Sequence, residues 1–210
     1  MDMNFDDNLV RDEAALEALY GASSAGAIAK EIDYIHPHYR AMIEASPFMV
    51  LATSGPEGLD CSPRGDPAGS FVQVVDDKTL LIPDRRGNNR IDSLRNIVRD
   101  GRVALLFLIP GVGETLRVNG RATISVAPEL IGRFPFNGTL PRSVIVVRAE
   151  NVYFQCPKAI VRSELWNPDK HISRKSLPST GTILADITAG MVGGEQYDRE
   201  YPERLRSTIY

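Results

Sequence analysis

A short apolar strand, a basic loop and the start of a helix follow one another in Leu80-Leu81-Ile82-Pro83-Asp84-Arg85-Arg86-Gly87-Asn88-Asn89-Arg90-Ile91-Asp92-Ser93-Leu94-Arg95-Asn96. The loop holds three arginines, one glycine and two asparagines. A helix N-terminus attracts anions because its first N–H groups are unpaired and carry partial positive charge. Arginine adds a permanent charge in a planar fork that fits phosphate oxygens. The stretch therefore predicts a phosphate site at a strand–loop–helix corner, although a solvated basic turn would have the same composition.

On both sides of this stretch, short apolar runs separated by turn residues predict further strands. The runs are Phe48–Thr53, Leu59–Arg64, Phe71–Val75, Thr79–Ile82, Val103–Ile109, Thr115–Ser125 and Ser143–Phe154. Their short connections favour hairpins, and closing the resulting sheet removes exposed edges. We therefore expect a mainly β protein with flanking helices, built as an antiparallel closed or nearly closed barrel of six or seven strands.

Amphipathic segments predict helices before, within and after the barrel. The first covers Leu9–Tyr20, with Asp6 or Asp7 as its N-cap and Gly21 at its end. The other helical segments are Ala27–Ile35, Pro37–Ala45, Asn89–Val98, Pro128–Phe134 and Pro157–Trp166, and the tail contains a charged amphipathic piece, Gln196–Arg206. This pattern predicts an N-terminal helical extension over residues 1–46, a barrel domain over residues 47–166, and a tail over residues 167–210 that packs on the barrel or on a dimer partner.

Composition argues against nucleic acid and membranes as partners. The 210 residues carry a formal net charge of -3, so no global basic field attracts nucleic acid or anionic lipid. The longest apolar run, Val103–Ile109, is too short to cross a bilayer. The acidic residues 1–7 lack the apolar centre of a secretion signal, so the expected location is cytoplasmic.

Cysteine and histidine usage predicts neither a disulfide framework nor a metal site. Cys61 and Cys156 are expected to be small buried residues. The three histidines, His36, His38 and His171, are too few for a convincing ligand cluster.

Four segments, taken in order, carry a family resemblance. They are Phe48–Thr53, Ser62-Pro63-Arg64-Gly65-Asp66, Leu81-Ile82-Pro83-Asp84-Arg85-Arg86-Gly87-Asn88-Asn89-Arg90 and Glu114-Thr115-Leu116-Arg117-Val118-Asn119-Gly120-Arg121. Together they resemble the pyridoxamine 5'-phosphate oxidase-like flavoproteins, whose fold is the FMN-binding split β-barrel, antiparallel and Greek-key-like. The resemblance covers residues 48–166, and the tail, with Gly193-Gly194 and Tyr201-Pro202-Glu203-Arg204, is similar to one subgroup of that family.

The resemblance implies a homodimer with FMN in the grooves between the subunits. The cofactor-binding residues that it implies are Ser62, Arg64, Asp84, Arg85, Arg86, Asn88, Asn89, Arg90, Thr115, Leu116 and Arg117. In such proteins the segment matching Ser62–Asp66 runs along the flavin ring, the loop matching Arg85–Arg90 holds the phosphate, and the strand matching Thr115–Arg117 comes from the other subunit. Relatives often carry glutamine where Thr115 stands, so the threonine hydroxyl has a shorter reach.

Several roles stay open at the level of sequence. Trp166 either lines the flavin pocket or caps the barrel, and Lys158 and Arg162 either bind substrate anions or form a solvent face. The sequence does not tell which arginine holds the phosphate, and some relatives use a deazaflavin instead of FMN.

The leading functional hypothesis is an FMN-dependent oxidoreductase that acts on an unknown small molecule. The oxidase itself carries an Arg-x-His motif near its end, whereas this sequence has no histidine after His171, which argues against pyridoxamine phosphate oxidation. The alternatives are a non-enzymatic flavin carrier, a split barrel that holds another ligand such as haem, and a barrel that has lost its cofactor and only dimerises. Against haem, none of the three histidines lies in a predicted strand.

Overall fold

A computed structural model describes residues 8–209 of the chain. The chain divides into two compact units, residues 1–31 and residues 32–210. The described part of the first unit contains helix α1 (Glu13–Tyr20) and helix α2 (Ala25–Ala29).

Helix α1 is shorter than its sequence pattern predicts. The predicted start at Leu9 is wrong, because Asp12 caps the helix by accepting a hydrogen bond from the N–H of Ala15 at 2.8 Å. The predicted end is confirmed: Gly21 follows the last turn with a φ of 68°, which glycine adopts without strain. The alternative caps, Asp6 and Asp7, lie outside the described residues.

The second unit contains one antiparallel sheet of seven strands in the order β2-β1-β5-β6-β7-β4-β3. The strands are β1 (Phe48–Gly55), β2 (Gly58–Gly65), β3 (Gln73–Val74), β4 (Thr79–Asp84), β5 (Arg102–Leu108), β6 (Thr115–Ser125) and β7 (Ser143–Gln155). The flanking helices are α3 (Pro37–Ala45), α4 (Asp92–Arg99), α5 (Pro128–Ile131), α6 (Lys158–Ser163), α7 (Thr180–Ile187) and α8 (Gly194–Thr208), with 3₁₀ turns at Pro168–Lys170 and Arg174–Ser176. The predicted mainly β, split-barrel fold with flanking helices is confirmed.

The helix predicted over Ala27–Ile35 ends at Ala29. Ile32 instead exchanges backbone hydrogen bonds with Val152 of β7, at 3.1 and 2.7 Å. The backbone around Ile32 is therefore extended, since a bridge to a strand cannot form from the middle of a helix.

The core follows the two-residue period of the strands. In β1 the buried positions include Met49 and Leu51, and in β5 they include Leu105 and Phe107. Ile43 of α3 joins the same core cluster. The apolar face of each central strand therefore turns inward.

Side chains cross the gap between β2, at one end of the strand order, and β4, near the other. Arg64 of β2 forms an ion pair with Asp84 of β4 at 2.6 Å. Asp66, directly after β2, forms a second pair with Arg85, directly after β4, at 2.7 Å. Helix α4 packs against β1 and β2. The split of the barrel is thus spanned by ion pairs and flanked by a helix.

The two cysteines differ from the expectation drawn from the sequence. Cys61 and Cys156 are both exposed, so the prediction that they are buried is wrong. Cys61 lies on β2, which has a strand neighbour on one side only, and Cys156 directly follows the end of β7. Within residues 8–209, no group of three or more metal-ligating side chains comes together.

No helix formed by residues 8–209 combines the length and the apolar character that a membrane span requires.

Candidate functional site

A cleft of about 650 Å³ lies where β2, the end of β4 and the start of α4 meet. Its lining residues are Asp60, Ser62, Pro63, Arg64, Gly65, Phe71, Pro83, Asp84, Arg85, Arg86, Gly87, Asn88, Asn89, Arg90, Ile91, Asp92, Ser93, Leu94, Arg142 and Ser143. Its volume is within the usual range for small-molecule and cofactor sites. The strand–loop–helix corner predicted from the sequence therefore forms one wall of a concave surface.

Eight of the eleven residues implied by the resemblance line this cleft. They are Ser62, Arg64, Asp84, Arg85, Arg86, Asn88, Asn89 and Arg90. Ser62 and Arg64 are two apart on β2 and therefore point to the same face of that strand. Asp84 ends β4, and the other five belong to the loop that follows it.

Two of the lining arginines are held by carboxylates. Arg85 donates to the buried Asp66 and, at 2.7 Å, to the backbone carbonyl of Phe134. Arg64 donates to Asp84, while its own Nε is buried and finds no hydrogen-bond partner in the described part of the chain. The charge of each of these two guanidinium groups is therefore neutralised by an ion pair that stabilises the barrel.

The remaining loop residues are exposed and arranged around a local turn. The Asn88 side-chain carbonyl accepts from the Arg90 N–H at 3.0 Å, and Asn89 has a φ of 60°. Left-handed backbone of this kind is tolerated by asparagine better than by most residues. Arg86 is exposed and has no hydrogen-bond or ion-pair partner among residues 8–209. Its guanidinium is thus the one in this loop that is available to a ligand.

Helix α4 presents an N-terminus to the cleft. Its N-cap residue, Ile91, offers no side-chain acceptor to the first-turn N–H groups. Asp92 in that turn accepts from Arg90, which lowers the pKa of the Asp92 carboxyl and raises the pKa of the Arg90 guanidinium. Arg90 is therefore paired with a carboxylate, unlike Arg86.

The structure adds an arginine to the cleft that the sequence analysis missed. Arg142 lies directly before β7, and its Nη1 donates to the side-chain oxygen of Asn89 at 2.9 Å. The pairing of Ser143 with Asp84 brings Arg142 beside the loop that follows β4. The sequence alone gives little indication that Arg142 belongs to the site, because this placement requires knowing that β4 and β7 are neighbours.

Two further residues missed by the sequence analysis form a hydrogen-bond chain with Ser62. The Ser62 and Ser93 hydroxyl oxygens are 2.9 Å apart, and Ser93 donates to the carboxylate of Asp60. All three side chains line the cleft. This wall therefore carries polar groups that are already ordered by one another.

The charge of the lining suits an anionic ligand. The lining holds five arginines and three aspartates, and Asp66 behind it pairs with Arg85, so a formal surplus of one positive charge remains. A phosphate monoester is close to a dianion at neutral pH. The donors of Arg86, Arg142 and the first turn of α4 match phosphate oxygens in type and charge, so these residues fit the phosphate group of a flavin mononucleotide.

Three implied residues do not line the cleft of their own chain. Leu116 is fully buried in the core, Thr115 pairs with Gln155 at the start of β6, and Arg117 donates to the Tyr153 hydroxyl at 3.2 Å. The guanidinium of Arg117 also lies over the Tyr153 ring. Thr115, Leu116 and Arg117 therefore contribute nothing to the cleft of their own chain.

The three residues whose roles stayed open lie beyond this cleft. The indole N–H of Trp166 donates to the carbonyl of Val112 at 2.8 Å, which ties the segment after α6 to the loop between β5 and β6. Lys158 and Arg162 are exposed on α6. Trp166 therefore braces a loop within this chain.

The sequence pattern of the pyridoxamine 5'-phosphate oxidase family matches residues 35–156, more than half of the chain. The chain belongs to this family. Proteins of the family commonly bind a flavin and are often dimeric. The match begins before β1 and ends just after β7, so it contains every strand of the sheet.

Solved structures that are similar to this chain come from several bacteria. A variant of HupZ from Group A Streptococcus is 17% identical; the alignment covers 58% of this chain and 99% of that chain, with a TM-score of 0.48. General stress protein 26 from Bacillus anthracis is 17% identical over 54% of this chain and 88% of its own, with a TM-score of 0.39. A NimC/NimA family protein from Clostridium acetobutylicum is 14% identical over 58% and 87%, with a TM-score of 0.40. No curated protein gives a significant match to the sequence.

Proposed function

We propose that the chain binds FMN in the cleft and acts as an FMN-dependent oxidoreductase on a small molecule. The observation that carries this proposal is the guanidinium of Arg86, which has no partner within residues 8–209 and lies in a cleft beside a helix N-terminus without a side-chain cap. The choice of a flavin as the cofactor is supported by the family, whose members commonly bind one.

We assign the phosphate to Arg86 and Arg142 because the other three arginines of the cleft are already paired with aspartates. Arg64, Arg85 and Arg90 each form an ion pair with an aspartate at 2.5–2.7 Å. Arg142 is bound only to a neutral amide, and Arg86 has no partner among the described residues. A phosphate would therefore complete the hydrogen bonding of two guanidinium groups without breaking an existing ion pair.

The proposal includes a homodimer in which a second copy completes the site. Thr115 and Arg117 lie at the start of β6, outside the cleft of their own chain. In a dimer of the family type, these side chains would reach the flavin held by the other subunit. The cleft of one chain then provides the phosphate site and one side of the ring site.

The chemistry divides between the cofactor and the chain. FMN supplies the redox step, in which a hydride or electrons pass between the flavin and a small molecule. The chain holds the phosphate, orders the hydroxyls at Ser62 and Ser93, and positions the ligand against β2. Hydride transfer to a flavin does not strictly need an acid or base from the protein, and the roles proposed for these residues are binding and positioning.

The experiment is a visible absorption spectrum of the purified protein, followed by a reduction assay. Two flavin bands, from a compound that runs as FMN on chromatography after heat release, would support the cofactor assignment. Reduction by NADH or NADPH and reoxidation by an acceptor would support the enzyme. A flavin that exchanges with free FMN and shows no turnover with any donor–acceptor pair would indicate a carrier. A colourless protein that stays colourless with added FMN would contradict the proposal.

A further inference from the structure

Three side chains on one wall of the cleft form a hydrogen-bond chain with a fixed direction. The Ser62 and Ser93 hydroxyl oxygens are 2.9 Å apart, and Ser93 donates to Asp60. Ser93 is only 3% exposed, whereas Ser62 and Asp60 are half-buried and open to the cleft. Water therefore has little access to the central hydroxyl of the chain.

The direction follows from the number of protons available. An ionised carboxylate only accepts hydrogen bonds, and a serine hydroxyl has one proton to donate. Because Ser93 donates its proton to Asp60, Ser93 can only accept in its contact with Ser62. Ser62 must therefore donate to Ser93, which leaves only the lone pairs of Ser62 for a ligand in the cleft.

We propose that Ser93 and Asp60 make Ser62 an acceptor-only group that selects a hydrogen-bond donor of the bound ligand. This inference rests on the proposed function, in which the ligand is FMN. FMN offers donors at N3–H of the ring and at the hydroxyls of the ribityl chain. A ligand carbonyl or unprotonated ring nitrogen at the same place would meet a lone pair, and both groups would remain unsatisfied. Ser93 and Asp60 are positioning residues, since they act on the ligand through Ser62.

The test compares FMN with analogues that each lack one donor. The probes are 3-methyl-FMN and the three ribityl-deoxy analogues, and the readout is the dissociation constant from flavin fluorescence. The proteins are the wild type, Ser62→Ala, Ser93→Ala and Asp60→Ala. Ser54→Ala is the matched control, because Ser54 is a strand hydroxyl in the same sheet that accepts from Arg102 and does not line the cleft.

For the wild type, we expect one analogue to bind about 5-fold or more weakly than FMN, because it leaves the Ser62 acceptor unpaired. That ratio should fall to about 1 in Ser62→Ala, which has no acceptor at this position. It should also fall in Ser93→Ala and Asp60→Ala, because the Ser62 hydroxyl is then no longer held as an acceptor: FMN loses a preorganised hydrogen bond and the analogue loses nothing. The Ser93 and Asp60 variants keep the size of residue 62, so a fall in the ratio there cannot arise from relieved crowding. The Ser54→Ala control should keep the wild-type ratio. A general loosening of the cleft would weaken FMN and the analogue equally and leave the ratio unchanged.

Two failures can be told apart. A wild type that binds no FMN would overturn the proposed function and this inference with it. A wild type that binds FMN, but whose analogue ratios are the same in Ser93→Ala and Asp60→Ala, would overturn the acceptor-only role of Ser62 and leave FMN binding intact.

Discussion

Arg85 and Arg86 are neighbours in the chain but have different surroundings. Arg85 is paired with Asp66, whose side chain is 1% exposed, whereas Arg86 faces solvent in the cleft. The first arginine therefore stabilises the fold and the second is available to a ligand. In the sequence the two arginines look equivalent, because the partner of Arg85, Asp66, follows β2 and is distant in the chain.

Arg85→Ala should lower the free energy of unfolding by about 3 kcal/mol, because it leaves the Asp66 charge buried without its partner. Urea unfolding followed by circular dichroism would measure the change. The matched control is Arg86→Ala, which should change stability by no more than about 0.5 kcal/mol since the side chain is exposed. Equal stability losses in the two variants would contradict the division of roles. The double variant Arg85→Ala with Asp66→Asn should recover part of the loss, because no charge is then left buried.

At the scale of elements, strands were predictable from the sequence and helix ends were less so. The predicted run Thr115–Ser125 is the observed β6, since alternating apolar residues mark a strand face directly. Helix α7 (Thr180–Ile187) was not predicted, and it contains only one buried residue, Gly181. Its apolar residues Ile183, Leu184 and Ile187 span little more than one turn, and this pattern is too short to mark a helix in the sequence.

Helices α7 and α8 are joined by a carboxylate. Asp198 of α8 accepts from the N–H of Gly181 at 2.8 Å and from the hydroxyl of Ser179, the N-cap of α7. The Ser179 hydrogen bond, followed by that of Gly181, lowers the pKa of the Asp198 carboxyl. The ionised carboxylate thus caps one helix from the other.

The contact between α7 and α8 should weaken in acid. Because the folded pKa of Asp198 lies below its ordinary value, its contribution is fully present above that value and is lost as the pH falls through the lowered pKa. Amide NMR shifts of residues 180–187, followed from about pH 5 to about pH 2.5, should report the loss. Asp198→Asn should remove this transition. Shifts with the same acid dependence in the variant would show that another group is responsible.

At the scale of the whole molecule, the sheet order brings the site together. Ser62, Arg86 and Arg142 are far apart in sequence, yet β2, β4 and β7 place them around one cleft. The sequence predicts the strands and, through the family resemblance, most of the lining. The sequence does not predict that Arg142, Ser93 and Asp60 line the cleft. Their positions depend on which strands are neighbours and on the packing of α4 against β2.

The assembly should be a dimer of the chain with FMN bound. Light scattering at micromolar concentration is expected to give twice the chain mass, because the proposed site takes Thr115 and Arg117 from a second copy and neither residue lines the cleft of its own chain. Arg117→Glu should weaken FMN binding if β6 of one subunit meets the flavin of the other. A monomer that binds FMN with full affinity would contradict the shared site.

The most direct measurement of the central claim compares FMN with riboflavin, which lacks the phosphate, in the wild type and in Arg86→Ala. If Arg86 holds the phosphate, the wild type should bind FMN at least about 10-fold more tightly than riboflavin, as expected for charge-assisted hydrogen bonds. Arg86→Ala should lose most of that preference while binding riboflavin as the wild type does. An unchanged preference for FMN in Arg86→Ala would contradict the assignment of the phosphate to this corner of the cleft.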